Sequence, residues 1–265
     1  YYQNLHLARQ GEDYAAVGQD VSLYQHIWSM AVQLQIYLGS LIVITVLALL
    51  MRRLPRTVSA VTLYGVLVTA TIASFIYAIH LNGTDQGLNY YSPFSRFWEI
   101  GLGGLVGMVM INSQIPARLS ALRWPAGVVG LALIIGTGLF LDGAAQFPGP
   151  WTLVPLTGAA LVILGGNPPA GGGPAPAVGV TALLGTAPFQ TLGRMAYSLY
   201  LWHWPLLVLA TFQFATRADA DVGGPGGILA TLGFNRGILA GVAVIIASLV
   251  LATLTERYVE TPLRQ

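Results

Sequence analysis

Three features of this chain predict an all-α membrane protein, a polytopic helical bundle with about seven transmembrane helices. Hydrophobic residues make up 55% of its 265 residues and charged residues only 8%, against roughly 25% charged in soluble domains. The apolar residues gather into separate runs of the length that crosses a bilayer, about 20 residues of helix. The turns between those runs carry most of the charge, and the twelve basic residues are all arginine. Residues 1–265 therefore read as a single integral-membrane domain. With no cysteine, disulfides and thiolate metal sites are excluded, and no metal is expected. A net charge of +2, scattered along the chain, gives no footprint for nucleic acid.

Residues 1–22 are polar and tyrosine-bearing and read as an extracytoplasmic segment. The chain opens on Tyr1 without methionine, as the interior of a longer protein would. A first helix is expected from about Ser22 to Met51. His26, Ser29, Gln33 and Tyr37 follow i, i+3, i+7, i+11 and share one of its faces. A polar stripe of that length belongs against protein or a water-filled cavity rather than lipid. Arg52, Arg53, Pro55 and Arg56 form a basic turn, and a second span covers Thr57 to Ile79. Residues 80–87 read as a loop. Ser92 then suits a helix N-cap with Pro93 at the first helical position.

The third span runs from there to about Ile111 and carries Arg96, Trp98 and Glu99. Gly103 and Gly107 give it a small-xxx-small face for close packing. Arg118 and Arg123 fall in the next turn. Spans four and five are expected at Pro125–Leu141 and Trp151–Gly166. Residues 167–189, rich in glycine, proline and alanine, read as a cytoplasmic loop with room for a short interfacial helix. Span six, Leu192 to Phe214, holds Tyr200, Trp202, His203, Trp204 and Pro205. An ionisable residue at the depth of His203 marks function by default. A loop with Asp219 and Asp221 follows, and span seven runs from Arg236 to Arg257.

Arginine placement sets the orientation. With residue 1 outside, eight of the twelve arginines fall in inward-facing turns, as the positive-inside bias requires. Residue 265 is then cytoplasmic, and the chain is a multi-pass protein of the cell's plasma or inner membrane, surrounded by its lipids.

Five segments in order carry a family resemblance: Gln25-His26-Ile27-Trp28-Ser29, Tyr91-Ser-Pro-Phe-Ser-Arg96-Phe-Trp98-Glu99, Phe147-Pro-Gly-Pro150, Tyr197-Ser-Leu-Tyr200-Leu-Trp202-His203-Trp-Pro205 and Arg257-Tyr-Val-Glu260-Thr-Pro-Leu-Arg264. Together they resemble the membrane acyltransferase-3 family, which O-acylates cell-surface glycans and glycolipids. The seven spans look like the fourth to tenth of the family's ten core helices. By that resemblance the family's first helices, which hold an arginine and a histidine taken as catalytic, come from elsewhere in the same protein or from a partner subunit.

The resemblance implies a cytoplasmic acyl-CoA donor and an extracytoplasmic glycan or glycolipid hydroxyl as acceptor. Carried over by position, the catalytic candidates are His203, His26 and Glu99. The substrate-binding candidates are Ser29, Gln33, Arg96, Trp98, Tyr200, Trp202, Glu260 and Arg264. The chain departs from the family at Gln33-Leu34, where members usually have two glutamates, so carboxylate work on this helix is lost. Simpler roles stand beside these. Arg96 and Glu99 can be a structural i, i+3 pair, His26 and Trp28 interfacial anchors, and Glu260 with Arg264 a headgroup-facing pair. Two other functions remain as alternatives: a transporter or flippase for a lipid-linked sugar, and a non-catalytic membrane subunit.

Overall fold

A computed structural model describes residues 2–10, 22–112, 117–167, 179–218 and 236–263, and among these every regular element is helical. Arg264 and the loop carrying Asp219 and Asp221 lie outside the described residues. By contact density the chain forms two compact units, Tyr1–Ala15 with Trp28–Thr186, and Ala16–Ile27 with Ala187–Gln265.

The first unit opens with α1 (Gln3–Gln10) and α2 (Trp28–Leu50). Trp28, Ala31, Val32 and Ile36 recur at helical spacing and are buried, with Trp28, Val32 and Ile36 packed against Leu7 of α1 and Tyr91. Asn4, fully buried, trades two hydrogen bonds with the Gln35 amide at 3.0 and 3.1 Å and donates to the Tyr91 carbonyl. The polar segment before α2 thus supplies part of the core.

α3 (Arg56–Thr84) is longer than expected. Residues 80–84, read as loop, complete its last turn, with Thr84 bonding the His80 carbonyl at 3.0 Å. Asp85 ends it at φ −154° and caps α4 (Gln86–Tyr91), its carboxylate accepting from the Leu88 amide at 2.9 Å. Ser92 does the same for α5 (Pro93–Asn112), its hydroxyl accepting from the Phe94 amide at 3.2 Å. This is the capping role its sequence implied.

α5 lies along α3. Ser74 of α3 donates to the Phe94 carbonyl at 2.6 Å and accepts from the Trp98 amide at 2.9 Å. Those are the two groups a regular helix joins directly, so one hydroxyl seats the turn that carries Arg96. Gly103 and Gly107, expected to pack closely, meet nothing within 4 Å.

The close glycine contact is instead between α6 (Arg123–Phe140) and α8 (Leu153–Gly166), which follows the short α7 (Gly143–Gln146). A Cβ on Gly130 would stand 2.5 Å from the Gly158 carbonyl oxygen, and one on Gly158 would stand 2.7 Å from that of Gly130. Backbones this near are how helices associate where lipid removes the hydrophobic drive. Arg123, buried at the start of α6, ties the pair's end by donating from Nε to the Gly165 carbonyl at 3.1 Å. α9 (Val180–Leu184) closes this unit.

The second unit contains the turn Gln25–Ile27, α10 (Ala187–Arg194), α11 (Ala196–Ala218), α12 (Arg236–Thr255), a π-helical turn Glu256–Glu260 and α13 (Thr261–Leu263). α11 and α12 run antiparallel. Ser198 donates to the Glu260 carboxylate and the Trp202 indole donates to Thr255 at 2.9 Å, so advancing along α11 retreats along the other strand of chain. Met195 separates α10 from α11, so the motif beginning at Gly193 spans two helices rather than one.

Among the described residues, four helical stretches are long and apolar enough to cross a membrane: Gln25–Leu50, Arg56–Thr84, Leu119–Phe140 and Ile238–Leu263. They bear largely exposed side chains such as Leu41, Ile42, Val61 and Leu139, which suit lipid. At the other three expected positions, Pro150–Gly166 is shorter, α5 carries Arg96 and Glu99, and α11 carries Tyr200 and His203.

Candidate functional site

Two polar clusters form, one in each unit. In the second unit, the turn Gln25–Ile27 brings His26 against α11. The Tyr200 hydroxyl donates to the His26 carbonyl, and the Trp204 indole donates to the Ser22 carbonyl at 3.3 Å. His26 is buried, which removes it from an interfacial anchoring role. Its ring centroid is 5.1 Å from Tyr200, 5.7 Å from His203 and 6.2 Å from Trp204, with the two imidazoles edge-on at 77°. Tyr200 and His203 are also 5.7 Å apart.

His203 Nδ1 lies 3.2 Å from the Leu199 carbonyl. A carbonyl only accepts, so Nδ1 donates here, which leaves Nε2 as the lone-pair nitrogen of the neutral ring. The partner is the carbonyl one turn back, not the Leu201 carbonyl that Pro205 releases. His203 and Tyr200 line an open groove of about 640 Å3 between α11 and α12. Sequence reasoning expected a polar cavity here. The lining is instead mostly aliphatic, with Tyr200, His203 and Ser248 as its polar members. α12 presents an apolar face to α11, and that face supplies half the wall.

In the first unit, Arg96 sits over two aromatic rings. Its Cζ is 5.0 Å from the centroid of Trp28 and 5.0 Å from that of Tyr90, within range of cation–π attraction. Trp28 packs on Tyr90 and Tyr91 at 4.8 and 5.3 Å. Trp28 is therefore core and not an interfacial anchor. Arg96 pairs with Glu99 one turn on at 3.6 Å, each side chain 19% exposed. That separation exceeds a charge-assisted hydrogen bond, and Arg96 Nε and Glu99 Oε1 are buried without a hydrogen-bond partner among the described residues. Glu99 thus faces protein.

The remaining candidates scatter. Trp98, 2% exposed, packs edge-on against Phe75 at 4.6 Å and supports the turn that carries Arg96 and Glu99. Ser29 is half-buried on α2, in the first unit. Gln33 is exposed and donates to the Tyr37 hydroxyl at 3.0 Å, which satisfies the amide that stands in place of a family carboxylate. Trp202, 37% exposed, holds Thr255. Glu260 receives the Ser198 hydroxyl across 62 residues of sequence.

Several residues that sequence reasoning passed over hold these clusters in place. Asn89, fully buried, donates to the carbonyls of Ala78 and Pro148 at 3.1 and 2.9 Å, and Gln86 donates to Phe147 at 2.8 Å. Together they fix the Phe147–Pro150 turn. Ser95 closes on the Asn89 and Ser92 carbonyls. Ser248 had one visible signal, a lone hydroxyl in an otherwise aliphatic run. Among the described residues, no group of three His, Asp or Glu stands together as a metal site.

Comparison with known proteins follows the same lines. The family model described as an acyltransferase domain matches residues 4–257. A protein of Komagataeibacter xylinus named as a membrane-bound transacylase, BcsY, is 31% identical over 196 residues, covering 74% of this chain and 44% of its own length. A Bacillus subtilis protein named as a peptidoglycan O-acetyltransferase, YrhL, is 24% identical over 91% of this chain and 34% of its own length. The O-acetyltransferase OatA of Staphylococcus aureus is 22% identical over 91% of this chain and 36% of its own length. The chain thus spans less than half the length of these relatives. No solved structure matches it.

Proposed function

Because this chain belongs to the membrane acyltransferase-3 family, we propose that it moves an acyl group from a cytoplasmic acyl-CoA to a hydroxyl of an extracytoplasmic glycan or glycolipid. The observation that carries the reading is the His26–Tyr200–His203 cluster on the wall of a groove, with His203 Nε2 left as a base. In the reaction the thioester C–S bond breaks and the acceptor oxygen bonds the acyl carbon. The hydroxyl proton passes through the imidazole to the departing thiolate.

Each candidate takes a role consistent with its place. His203 accepts and releases the proton, and Tyr200 with His26 fixes the geometry around it. Arg96, its charge held over Trp28 and Tyr90, binds substrate with Glu99 as its counter-ion, and Trp98 supports that turn from the core. Ser29 and Gln33 line the acceptor's path along α2. Trp202 and Glu260 lock α11 to the end of α12, and Arg264, outside the described residues, suits a phosphate by its charge alone. The acceptor glycan enters from outside, where residue 1 lies, and the donor from the side of residue 265. The family's first helices, in the same protein or a partner subunit, complete the acting unit.

Thiol release from acetyl-CoA tests this directly, since this chain contributes no cysteine of its own. The expected result is thiol release by the full-length protein in membranes that depends on added glycan acceptor. Sugar translocation with no thioester consumed would instead mark a transporter. Orientation is checked separately by single cysteines introduced at Leu54 and Asp85. A membrane-impermeant maleimide added outside should label position 85 and not position 54, and the reverse would overturn the orientation.

A further inference from the structure

The α11–α12 groove is larger and more apolar than an acetyl group requires. Its volume is about 640 Å3, and Leu199, Leu207, Val244, Ile245 and Leu249 make up most of its wall. On α12 the lining positions 241, 244, 245, 248 and 249 recur at the spacing of one helix face. They extend over about 12 Å at 1.5 Å per residue. Ser248 is 2% exposed, and its hydroxyl has no hydrogen-bond partner among the described residues. Helical serines commonly bond the carbonyl one turn back, and buried polar atoms are rarely left alone. A lone donor on an aliphatic wall points to a ligand with one acceptor and a hydrocarbon body.

We propose that this groove is an acyl-chain site, which takes the hydrocarbon of a medium-chain acyl thioester with the Ser248 hydroxyl donating to the acyl carbonyl oxygen. This rests on the acyltransferase reading above and adds the class of acyl group. A carbonyl only accepts and the serine has a proton to give, so the two match. The hydroxyl hangs on a single rotatable bond and turns to a carbonyl lying in the groove. The aliphatic wall matches a chain without polar atoms, and each methylene buried there strengthens binding about four-fold over water. His203 lines the same groove, so the reacting carbon and the proton carrier share one space. The site selects donors by length, and acetyl is its weak substrate.

Gly241 provides a clean test, because a Cβ added there meets nothing within 4 Å. Gly241→Leu therefore starts its side chain in open space on the groove wall. The full-length protein in nanodiscs is titrated with acetyl-CoA and octanoyl-CoA, each displacing a labelled acyl-CoA. Wild type is expected to favour octanoyl by at least about ten-fold, since two buried methylenes suffice for that, and Gly241→Leu to remove most of the preference. A diazirine-bearing octanoyl-CoA is expected to label the 241–249 segment, with labelling suppressed by excess octanoyl-CoA and reduced in Ser248→Ala. Should Gly241→Leu fail to fold, Val244→Phe serves in its place. An octanoyl-to-acetyl ratio near one in wild type, or unchanged in a folded filled variant, overturns the acyl-chain site. So does labelling that excess octanoyl-CoA leaves untouched, which is the behaviour of bulk lipid. If acetyl transfer proceeds in those cases, only this inference falls. If neither thioester binds or is consumed, the acyltransferase reading falls with it.

Discussion

In the unit that carries α1 to α9, Asn4, Ser74, Asn89 and Ser95 donate to backbone carbonyls, and Arg96 faces Glu99 at 3.6 Å over two aromatic rings, with Arg96 Nε and Glu99 Oε1 unused among the described residues. In the unit that carries α10 to α13, His203 commits one ring nitrogen to the Leu199 carbonyl, while Ser248 leaves its hydroxyl unused among the described residues. Both residues line the groove. The first arrangement suits a scaffold that holds a fixed charge, because buried donors satisfied by backbone cannot be exchanged without cost. The second suits a proton carrier, whose lone pair must remain available. Under the proposed function, this difference gives charge placement to one unit and proton transfer to the other.

Removing the imidazole tests that division most severely. His203→Ala is expected to lower acyl transfer about 10²–10⁴-fold with little change in thermal stability, measured on the purified full-length protein. A large drop in stability with activity retained per folded molecule would make His203 structural and erase the contrast.

Glu99→Ala should produce the opposite signature. Arg96 would be left as a largely buried charge facing only rings, at a cost of about 3 kcal/mol in stability. Exchanging the pair, Arg96→Glu with Glu99→Arg, should recover most of that stability. If transfer returns with it, the pair is purely structural, and if transfer stays lost, the arginine must stand where it does to meet substrate.

Gly130→Leu gives a smaller effect and probes the scaffold alone. A side chain there meets the Gly158 carbonyl at 2.5 Å, so a loss of about 1–3 kcal/mol is expected from forced separation of α6 and α8. Gly103→Leu, entering open space, should change stability by less than about 0.5 kcal/mol. Equal effects at both positions would show that glycine packing is not what joins these helices.

That last pair also marks where sequence reading stopped. Gly103 and Gly107 have the spacing of a packing face, but spacing does not say which face of a helix has a neighbour, and the contact formed at Gly130 and Gly158 instead. Local chemistry was legible. Ser92 and Pro93 start α5 as their cap preferences require, and Arg96 pairs with Glu99 one turn away. Residues 80–84 were misread because asparagine and glycine suggested a turn, while Asp85 carries the break and lets α3 run on. The clusters were only partly visible. His26, Tyr200 and His203 could be named from their residue types and position, but their meeting depends on a contact across 174 residues of sequence. Asn89, Ser198 and Ser248 were missed because a single polar residue carries no record of its partner in the sequence.

The claim that most needs testing is that His203 moves a proton and does more than fill a hydrogen bond. His203→Gln addresses it, since glutamine keeps a donor for the Leu199 carbonyl but cannot take up and release a proton near neutral pH. Turnover of the full-length His203→Gln protein is compared with wild type at matched folded concentration, using acyl-CoA and the glycan acceptor. The account predicts a loss close to that of His203→Ala, with the variant as stable as wild type. Wild-type acyl transfer by a well-folded His203→Gln protein would contradict it.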